Sequence, residues 1–259
     1  MPFTTILIAL RAINTTATSL FCLILAAFLT GCASGPARNP TDPFESFNRS
    51  MYSFNEGVDK AVLKPVAQGY RAVTPQPVRA GVENFFNNLE DLWSSLNGVL
   101  QLRPKVAAED FMRFGVNTVF GLGGVLDVAS EMGIERHNED LGKTLGRWGV
   151  PSGPYLVMPL FGPSTVRDAT TITLENRYDP VAQIDPARAR NATTALRLVD
   201  TRSGLLRLGN LLDEAALDKY SFTRDAFLQR RRAEIFRPGQ ENDDSYKPNP
   251  EKPEPAEKK

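Results

Sequence analysis

The sequence predicts an all-α protein built from amphipathic helices and interrupted by one Gly- and Pro-rich loop or hairpin. In several segments apolar residues recur at steps of three and four, as on one face of a helix. One long apolar segment is too rich in Gly and Pro for a regular helix. After residue 32, no uninterrupted apolar run reaches the roughly 18 residues that a membrane-spanning helix needs.

Composition limits the number of domains and the kinds of site. A length of 259 residues favours one domain with appendages. The 30 basic residues balance the 30 acidic ones, so nothing indicates nucleic acid as a partner. Both cysteines, Cys22 and Cys32, stand near the N-terminus, which excludes a disulfide framework or a thiolate metal site in the body of the chain.

The N-terminus resembles a bacterial lipoprotein signal. Residues 1–31 contain one charged side chain, Arg11, and the ten apolar residues Leu20–Leu29 are typical of a signal-peptide core. Leu29-Thr30-Gly31-Cys32 follows at once and matches a lipobox, which predicts acylation of Cys32 after cleavage. A chance cysteine after an ordinary signal is the alternative. Residue 33 is alanine rather than aspartate, which in enterobacteria-like sorting implies the outer membrane. Residues 32–41 then form a short lipidated tether.

The first helix of the body is predicted to start at Asp42-Pro43-Phe44-Glu45, with Asp42 as the cap. Its apolar stripe is unusually rich in phenylalanine, and two interpretations of it remain open: a core-facing helix, or an interfacial helix lying in lipid. The stripe consists of Phe44, Phe47, Met51, Phe54 and Val58, while Asn48, Arg49, Asn55 and Asp59 occupy other faces.

Two further helices are predicted over Val82–Gln101 and Lys105–Phe120, after a short helix and an extended, proline-bearing connector in residues 61–81. Phe85, Phe86, Leu89, Leu92, Trp93, Leu96, Val99 and Leu100 form a broad apolar face on the first helix. Val106, Phe111, Phe114 and Val119 are expected to face inward from the second. Because adjacent acids favour solvated helix faces, Glu90/Asp91 and Glu109/Asp110 are expected at the surface.

Two polar or Gly-rich segments follow. Phe120–Asp127 (FGLGGVLD) lacks the spacing of a phosphate-binding loop, so a helix C-cap and turn is favoured. Residues 131–141 form a polar turn with the only histidine, His137, beside Glu135, Asn138, Glu139 and Asp140. A solvated histidine is favoured over a metal site, because no second soft ligand stands at ligand spacing.

The segment Gly142–Asp168 is the organising feature of the chain. Nine of the 22 residues from Gly142 to Pro163 are Gly or Pro, which excludes a long helix and makes a central strand unfavourable. Its apolar side chains, Leu156, Val157, Met158, Leu160 and Phe161, nevertheless need a packed or lipid-facing setting. A shaped functional loop or hairpin is therefore predicted, with an irregular buried connection as the alternative.

The C-terminal third is predicted to be helical. Arg167–Tyr178 could form a strand or a helical turn, and the sequence leaves this open. From Pro186 to about Leu212 a helix is expected, with its buried side formed by Ala195, Leu198, Val199, Leu205, Leu206, Leu208, Leu211 and Leu212. Ser221–Phe236 is the last helix; its arginines, Arg224, Arg230, Arg231, Arg232 and Arg237, could meet phosphate head groups or form a solvated helix end. Residues 237–259 are predicted to be disordered.

The sequence does not predict an enzyme. Acids adjacent in sequence do not by themselves supply the separated carboxylates of a glycosidase. The chain contains neither the GxSxG nor the HExxH motif, and one histidine is the only imidazole base. We therefore expect no catalytic residue, no cofactor and no metal.

Four stretches together resemble the MlaA (VacJ) family of outer-membrane lipoproteins. They are DPFESFNRSMYSFNEGVD (42–59), NTVFGLGGVLDVA (117–129), LGKTLGRWGVPSGPYLVMPLFGPSTVRD (141–168) and YSFTRDAFLQRR (220–231). The resemblance covers most of residues 40–236 and implies a ring-like helical domain, 42–236, embedded in one membrane leaflet. It also implies that an amphipathic channel removes mislocalised phospholipid from the outer leaflet of the outer membrane.

Several partners and site residues follow from the resemblance. The implied partners are phospholipid, a trimeric outer-membrane porin, a periplasmic lipid carrier and, indirectly, an inner-membrane ABC transporter. We expect the protein to be lipid-anchored on the periplasmic side, and a non-transporting scaffold bound to porins is the alternative. The residues predicted for the lipid path or channel are Phe47, Asn48, Phe54, Asn55, Gly146, Gly149, Gly153, Pro154, Tyr155, Met158, Arg167 and Asp168.

Overall fold

The computed structural model describes residues 42–236. The predicted signal peptide, the lipidated tether with Cys32, and the C-terminal tail lie outside the described residues. Within them, the regular secondary structure consists of helices and one two-stranded hairpin, which confirms the all-α class.

The elements follow one another with short connections. The α-helices are α1 Glu45–Val58, α2 Lys64–Val73, α3 Gln76–Leu100, α4 Pro104–Val119, α5 Val128–Glu131, α6 Leu141–Arg147, α7 Val166–Tyr178, α8 Ala187–Gly204, α9 Leu206–Ala215 and α10 Lys219–Ile235. A π-helical turn, Asp59–Leu63, joins α1 to α2, and a 3₁₀ turn, Pro180–Gln183, precedes α8. Strands β1 Tyr155–Met158 and β2 Gly162–Thr165 pair antiparallel, with Tyr155 opposite Thr165.

The short helix predicted within residues 61–81 is present as α2, but the extended connector predicted after it shrinks to Thr74 and Pro75. The helix that starts at Glu45 continues through the π turn to Val73, and α3 begins at Gln76, six residues before the predicted start. Pro77 lies in the first turn of α3, where the missing N–H has no intrahelical acceptor to lose, and Pro65 stands directly after the π turn, at the start of α2. The prolines therefore mark helix starts here, and they do not break the helices.

Helices α3 and α4 pack closely, with their polar faces inward. A Cβ on Gly98 of α3 would come within 2.9 Å of the backbone nitrogen of Ala107 in α4. The buried residues at this interface are mostly polar: Asn88, Asp91, Ser94, Ser95, Asn97, Asp110, Arg113 and Asn117. The expected inward placement of Phe111 and Val119 is wrong, since they are 59% and 70% exposed. Helical spacing identifies an apolar stripe, but it does not say whether core or lipid covers it.

Ion pairs and hydrogen bonds fill the space between these helices. Asp91 lies between Arg113 (3.3 Å) and Arg136 (2.7 Å), and Arg113 also pairs with Asp127 at 2.8 Å. Burial raises the pKa of Asp91 in spite of the two arginines. Asp91 and Asp110 are thus buried, which corrects their assignment to solvated helix faces. Each buried charge has a partner, as burial requires.

The C-terminal helices, like α3 and α4, expose apolar side chains and bury polar ones, an arrangement here called inverted polarity. The segment predicted as one helix from Pro186 is divided at Leu205 into α8 and α9, just after the weakening Gly204. The expected burial of its leucines is wrong for Leu198, Leu205, Leu208 and Leu211, all of which are exposed. The open question at Arg167–Tyr178 is resolved as helix α7. Gly121–Gly124 forms the predicted turn after α4, with the Gly124 N–H donating to the Asn117 carbonyl.

One contact between α2 and α8 predicts sensitivity to alkali. The Tyr70 hydroxyl donates to Asp200 at 2.9 Å, and burial, followed by this bond, raises the pKa of Tyr70 to about 12. Because the folded pKa exceeds the unfolded value of about 10, this stabilisation is complete below pH 10 and is lost as the pH rises towards 12. We expect Tyr70→Phe to lose less stability than the wild type between pH 10 and 12 in urea unfolding. An identical pH dependence would contradict the assignment.

Candidate functional site

The candidate site is the β1–β2 hairpin with the two clefts beside it. Two asparagines of α1 hold the free edge of β1. The Asn48 amide donates to the Tyr155 carbonyl at 3.0 Å and accepts from the Val157 N–H at 2.8 Å. Asn55, two helical turns later, repeats the pattern with the Met158 carbonyl and the Leu160 N–H. The two amides therefore satisfy the edge of β1 much as a third strand would.

A buried polar cluster supports this clamp from below. Asn48 also donates to Asp42 at 2.9 Å, and Asp42 accepts from the Tyr220 hydroxyl and, at 3.4 Å, from Arg224. Burial, and then the bond to Asp42, raise the pKa of Tyr220, so that its hydroxyl stays protonated. The predicted role of Asp42 as the cap of α1 is wrong: the N-cap is Phe44, and Asp42 instead joins α1 to α10.

Aromatic packing fixes the inner face of β1. Tyr155, Val157 and Tyr220 are buried together, and the rings of Tyr155 and Tyr220 meet edge to face at 6.2 Å. Tyr52 of α1 meets Tyr220 at 5.9 Å in the same manner. The side chains of Leu156 and Met158 alternate to the other face and are half-buried. The hairpin is therefore anchored along β1, whereas Leu160 and Phe161 at its tip are exposed.

An arginine on α10 closes the base of the hairpin. Arg231 binds both carboxylate oxygens of Asp140 at 2.5 and 2.6 Å and contacts Asp168 at 2.8 Å. Burial alone would raise the pKa of Asp140, but the bonds and charge of Arg231 hold it below its usual range. Asp168 also pairs with Arg167 at 3.0 Å. The cluster joins α6, α7 and α10.

Two glycines of α6 make room for this cluster. A Cβ on Gly142 would lie 2.4 Å from Oδ1 of Asp168, and one on Gly146 would lie 2.7 Å from Nη1 of Arg167. A side chain at either position would therefore have to displace these ion-paired groups. Gly149 and Gly153, in the following connection, have positive φ angles of 87° and 67°.

Two clefts flank the hairpin. The first, here called the strand cleft, has a volume of about 240 Å³ and lies between α1, the hairpin and α9; Tyr52, Val157, Pro163 and Leu212 supply apolar lining, and Asp59, Lys64 and Arg202 supply charge. The second, the tip cleft, has a volume of about 540 Å³ and lies beside Phe161, between α7, the 3₁₀ turn and α8. Its lining includes Val181 of the turn and Arg190, Arg197 and Leu198 of α8. Both clefts combine apolar and charged surface.

The charged groups of the clefts differ in how strongly they are already paired. Arg202 binds Asp59 at 2.5 and 2.7 Å, and Arg197 binds Glu90 and Asp179 at 2.7 and 2.6 Å. Arg190 has only a 3.9 Å approach to the exposed Asp185. Arg190 is therefore the cleft cation that could bind a passing anion with the smallest loss of existing bonds.

The predicted path residues gather around the hairpin but have different surroundings. Asn48, Tyr155, Arg167 and Asp168 are buried, and each fixes the position of the hairpin. Phe47 and Phe54 are exposed on α1, whereas Met51 of the same stripe packs against the buried Tyr155, Val157 and Tyr220, so the core-facing interpretation holds for only part of the stripe. Gly146, Gly149, Gly153 and Pro154 form the approach to β1, and Met158 is half-buried near the tip.

The contribution of α10 to the hairpin base was not predicted from the sequence. Neither interpretation of its arginines fits Arg224 or Arg231, because Arg224 is buried, Arg231 is only 12% exposed, and both are held in ion pairs. Their spacing of seven residues places them on one helix face and was the available signal. Within the described residues, the one group of three potential metal ligands that approach each other, Glu109, Glu135 and His137, lines neither cleft.

Comparisons with known proteins agree with this arrangement. A family model described as MlaA lipoprotein matches residues 40–234. The intermembrane phospholipid transport system lipoprotein MlaA of Haemophilus influenzae is 36% identical over 223 residues, which cover 83% of this chain and 88% of that protein. The protein of the same name from Escherichia coli is 36% identical over 208 residues, covering 78% and 82%. A solved structure described as "Structural basis for maintenance of bacterial outer membrane lipid asymmetry" matches with a TM-score of 0.66 and 34% identity, covering 75% of this chain and 99% of that one.

Proposed function

Because this chain belongs to the MlaA lipoprotein family, whose curated relatives are named for intermembrane phospholipid transport, we propose that it removes mislocalised phospholipid from the outer leaflet of the outer membrane. The lipid would leave through an amphipathic path beside the hairpin. A soluble periplasmic carrier would then take it towards an inner-membrane ABC transporter. The observation that carries the proposal is the inverted polarity of the helices.

Inverted polarity suits a protein surrounded by lipid. In water, the exposed side chains of Phe47, Phe54, Phe111 and Val119 would form an unusually large apolar surface. In a bilayer they would meet acyl chains, while the buried ion pairs of α3 and α4 satisfy the interior. None of the described helices is long and apolar enough to cross a membrane. We infer that the helices lie within one leaflet and form a ring around the path, anchored by acyl chains on Cys32.

The two clefts give a physical reason for lipid passage. Moving a phospholipid between leaflets takes its charged head group past an apolar layer, which is costly without polar partners. The strand cleft and the tip cleft offer apolar walls beside charged groups, and Arg190 is the cation least committed to another residue. A phosphate at Arg190 would gain a charge-assisted hydrogen bond while the acyl chains contact Phe161 and Leu198.

A lipid-content measurement separates transport from a purely structural role. Protein purified in mild detergent should carry phospholipid detectable by mass spectrometry, and Arg190→Ala should reduce the amount. The exposed Arg188→Ala, two residues earlier on α8, is the matched control and should not reduce it. Lipid-free wild-type protein that still binds a trimeric porin would favour the scaffold alternative.

Gly149 and Gly153, in the connection that leads into β1, should matter for transport because of their positive φ angles. Replacing Gly149 or Gly153 with valine forces a β-branched residue to a positive φ, which costs about 1–2 kcal/mol per site. We expect impaired lipid removal with normal membrane attachment in both variants, measured by outer-leaflet labelling and cell fractionation. Gly69→Val, on open helix surface in α2, is the control. Unchanged transport in both hairpin variants would contradict the assignment of this segment.

A further inference from the structure

A three-ligand cluster stands apart from the hairpin and its clefts. The only histidine of the chain, His137, lies in the loop between α5 and α6 with Glu135, and both approach Glu109 of α4. Nε2 of His137 is 2.9 Å from Oε2 of Glu109, and one ligand atom from each of the three residues lies within 4.8 Å of the other two. The histidine is half-buried, which corrects the expectation of a solvated side chain.

The loop that carries two of these groups is held in place by buried bonds. Arg136, between Glu135 and His137, donates to Asp91 at 2.7 Å. The His137 N–H donates to Asp110 at 3.0 Å, and Arg113 donates to the Ile134 carbonyl at 2.8 Å. Successive residues of an extended segment point to opposite sides, so anchoring Arg136 inward presents its two neighbours together. This fixes the backbone of the cluster before any ligand arrives.

The charges of the cluster are incompletely balanced. Two carboxylates converge there, and the nearest cation is Lys105, whose side chain is 79% exposed and 3.6 Å from Glu109. The neighbouring Arg136 pairs with Glu90 and Asp91 and not with Glu135. A bound cation would give the two carboxylates a common positive partner.

We propose that Glu109, Glu135 and His137 bind one divalent transition-metal ion of the Zn²⁺ class. Imidazole nitrogen and carboxylate oxygen are ordinary ligands of such ions, at about 2.0–2.2 Å from the metal. Ca²⁺ and Mg²⁺ prefer oxygen ligands alone, so the histidine favours a transition metal. Binding would require the exposed Glu135 side chain to move its oxygen closer to the other two ligands. Three protein ligands leave a position for water.

The test is a Zn²⁺ titration of the full-length acylated protein in detergent, purified without a polyhistidine tag and stripped with chelator. Calorimetry should give one ion per chain. His137→Ala and Glu135→Gln should each weaken binding at least tenfold. Glu131→Gln, an exposed acid on α5 outside the cluster, should leave it unchanged.

Glu135 is exposed and has no ion-pair partner among the described residues. Glu135→Gln should therefore match the wild type in circular dichroism without metal. Loss of Zn²⁺ binding in this variant then cannot be attributed to misfolding. Stoichiometric binding that survives both cluster substitutions would overturn the proposal. So would absence of one-to-one binding in the wild type, or preference for Ca²⁺ over Zn²⁺. Lipid removal is measured separately, so failure here leaves the transport proposal standing.

Discussion

Replacing Arg231 with methionine is expected to destabilise the protein by about 3 kcal/mol. The substitution keeps an unbranched apolar stem but removes the guanidinium cation shared by Asp140 and Asp168. Breaking such a pair from one side leaves carboxylates with little access to water, which is far costlier than losing a surface pair. The measurement is urea unfolding in detergent, followed by far-ultraviolet circular dichroism.

Arg230→Met is the matched control for this prediction. Arg230 stands on the same helix, is 70% exposed where Arg231 is 12% exposed, and has only a 3.4 Å contact with Glu234. Its replacement should change stability by less than about 0.5 kcal/mol. Equal losses of stability in the two variants would show that the ion pairs of Arg231 with Asp140 and Asp168 do not stabilise the base of the hairpin.

The same cluster predicts a pH dependence. Since the pKa of Asp140 is lower in the folded than in the unfolded state, its contribution is complete above the unfolded value of about 3.9 and is lost as the pH falls further. The wild type should therefore lose stability steeply below about pH 4. Arg231→Met should show a flatter acid limb in the same unfolding experiment, and an equally steep limb would contradict this assignment.

Replacing Asn48 with leucine should destabilise the protein by about 2–4 kcal/mol and abolish lipid removal. The substitution leaves the Tyr155 carbonyl and the Val157 N–H without their partner and deprives the buried Asp42 of a donor. Each orphaned buried group costs about 1–3 kcal/mol. Urea unfolding gives the stability loss, and outer-leaflet labelling of cells gives the transport loss.

Asn55→Leu and Asn84→Leu provide graded comparisons. Asn55 makes the same kind of bonds near the hairpin tip but is half-buried, so we expect a smaller loss of stability with faster hydrogen exchange at Leu160. Asn84 makes one exposed bond to Val125 and should be close to neutral. If Asn48→Leu is as mild as Asn84→Leu, the asparagine clamp is not what holds β1.

Local patterns in the sequence predicted the elements but not their orientation. The steps of three and four along residues 82–101 located α3, and the density of Gly and Pro after Gly142 predicted the hairpin. The same steps could not say that Val99 and Phe111 face outward, because a core and a bilayer demand the same apolar stripe. The burial of Asp91 was not predicted, because its arginine partners come from other elements.

Long-range pairing accounts for the rest of what the sequence did not predict. Asp42 and Tyr220 are 178 residues apart, and Asp140 and Arg231 are 91 residues apart. A short motif carries no information about a partner at that distance. Asp42 at a helix start therefore looked like a cap, and Arg231 looked like a surface charge. Of the two α6 glycines only Gly146 was predicted to lie on the path, and the close approach of Gly142 and Gly146 to Asp168 and Arg167 needed coordinates.

The most direct test of the transport proposal is the phospholipid content of the outer leaflet, measured by chemical labelling of intact cells with and without this gene. We expect outer-leaflet phospholipid to rise on deletion. Wild-type protein should reverse this rise, whereas Cys32→Ser and Asn48→Leu, each checked for expression, should not. Unchanged outer-leaflet phospholipid in the deletion strain would contradict lipid removal and favour a scaffold role for the anchored helical domain.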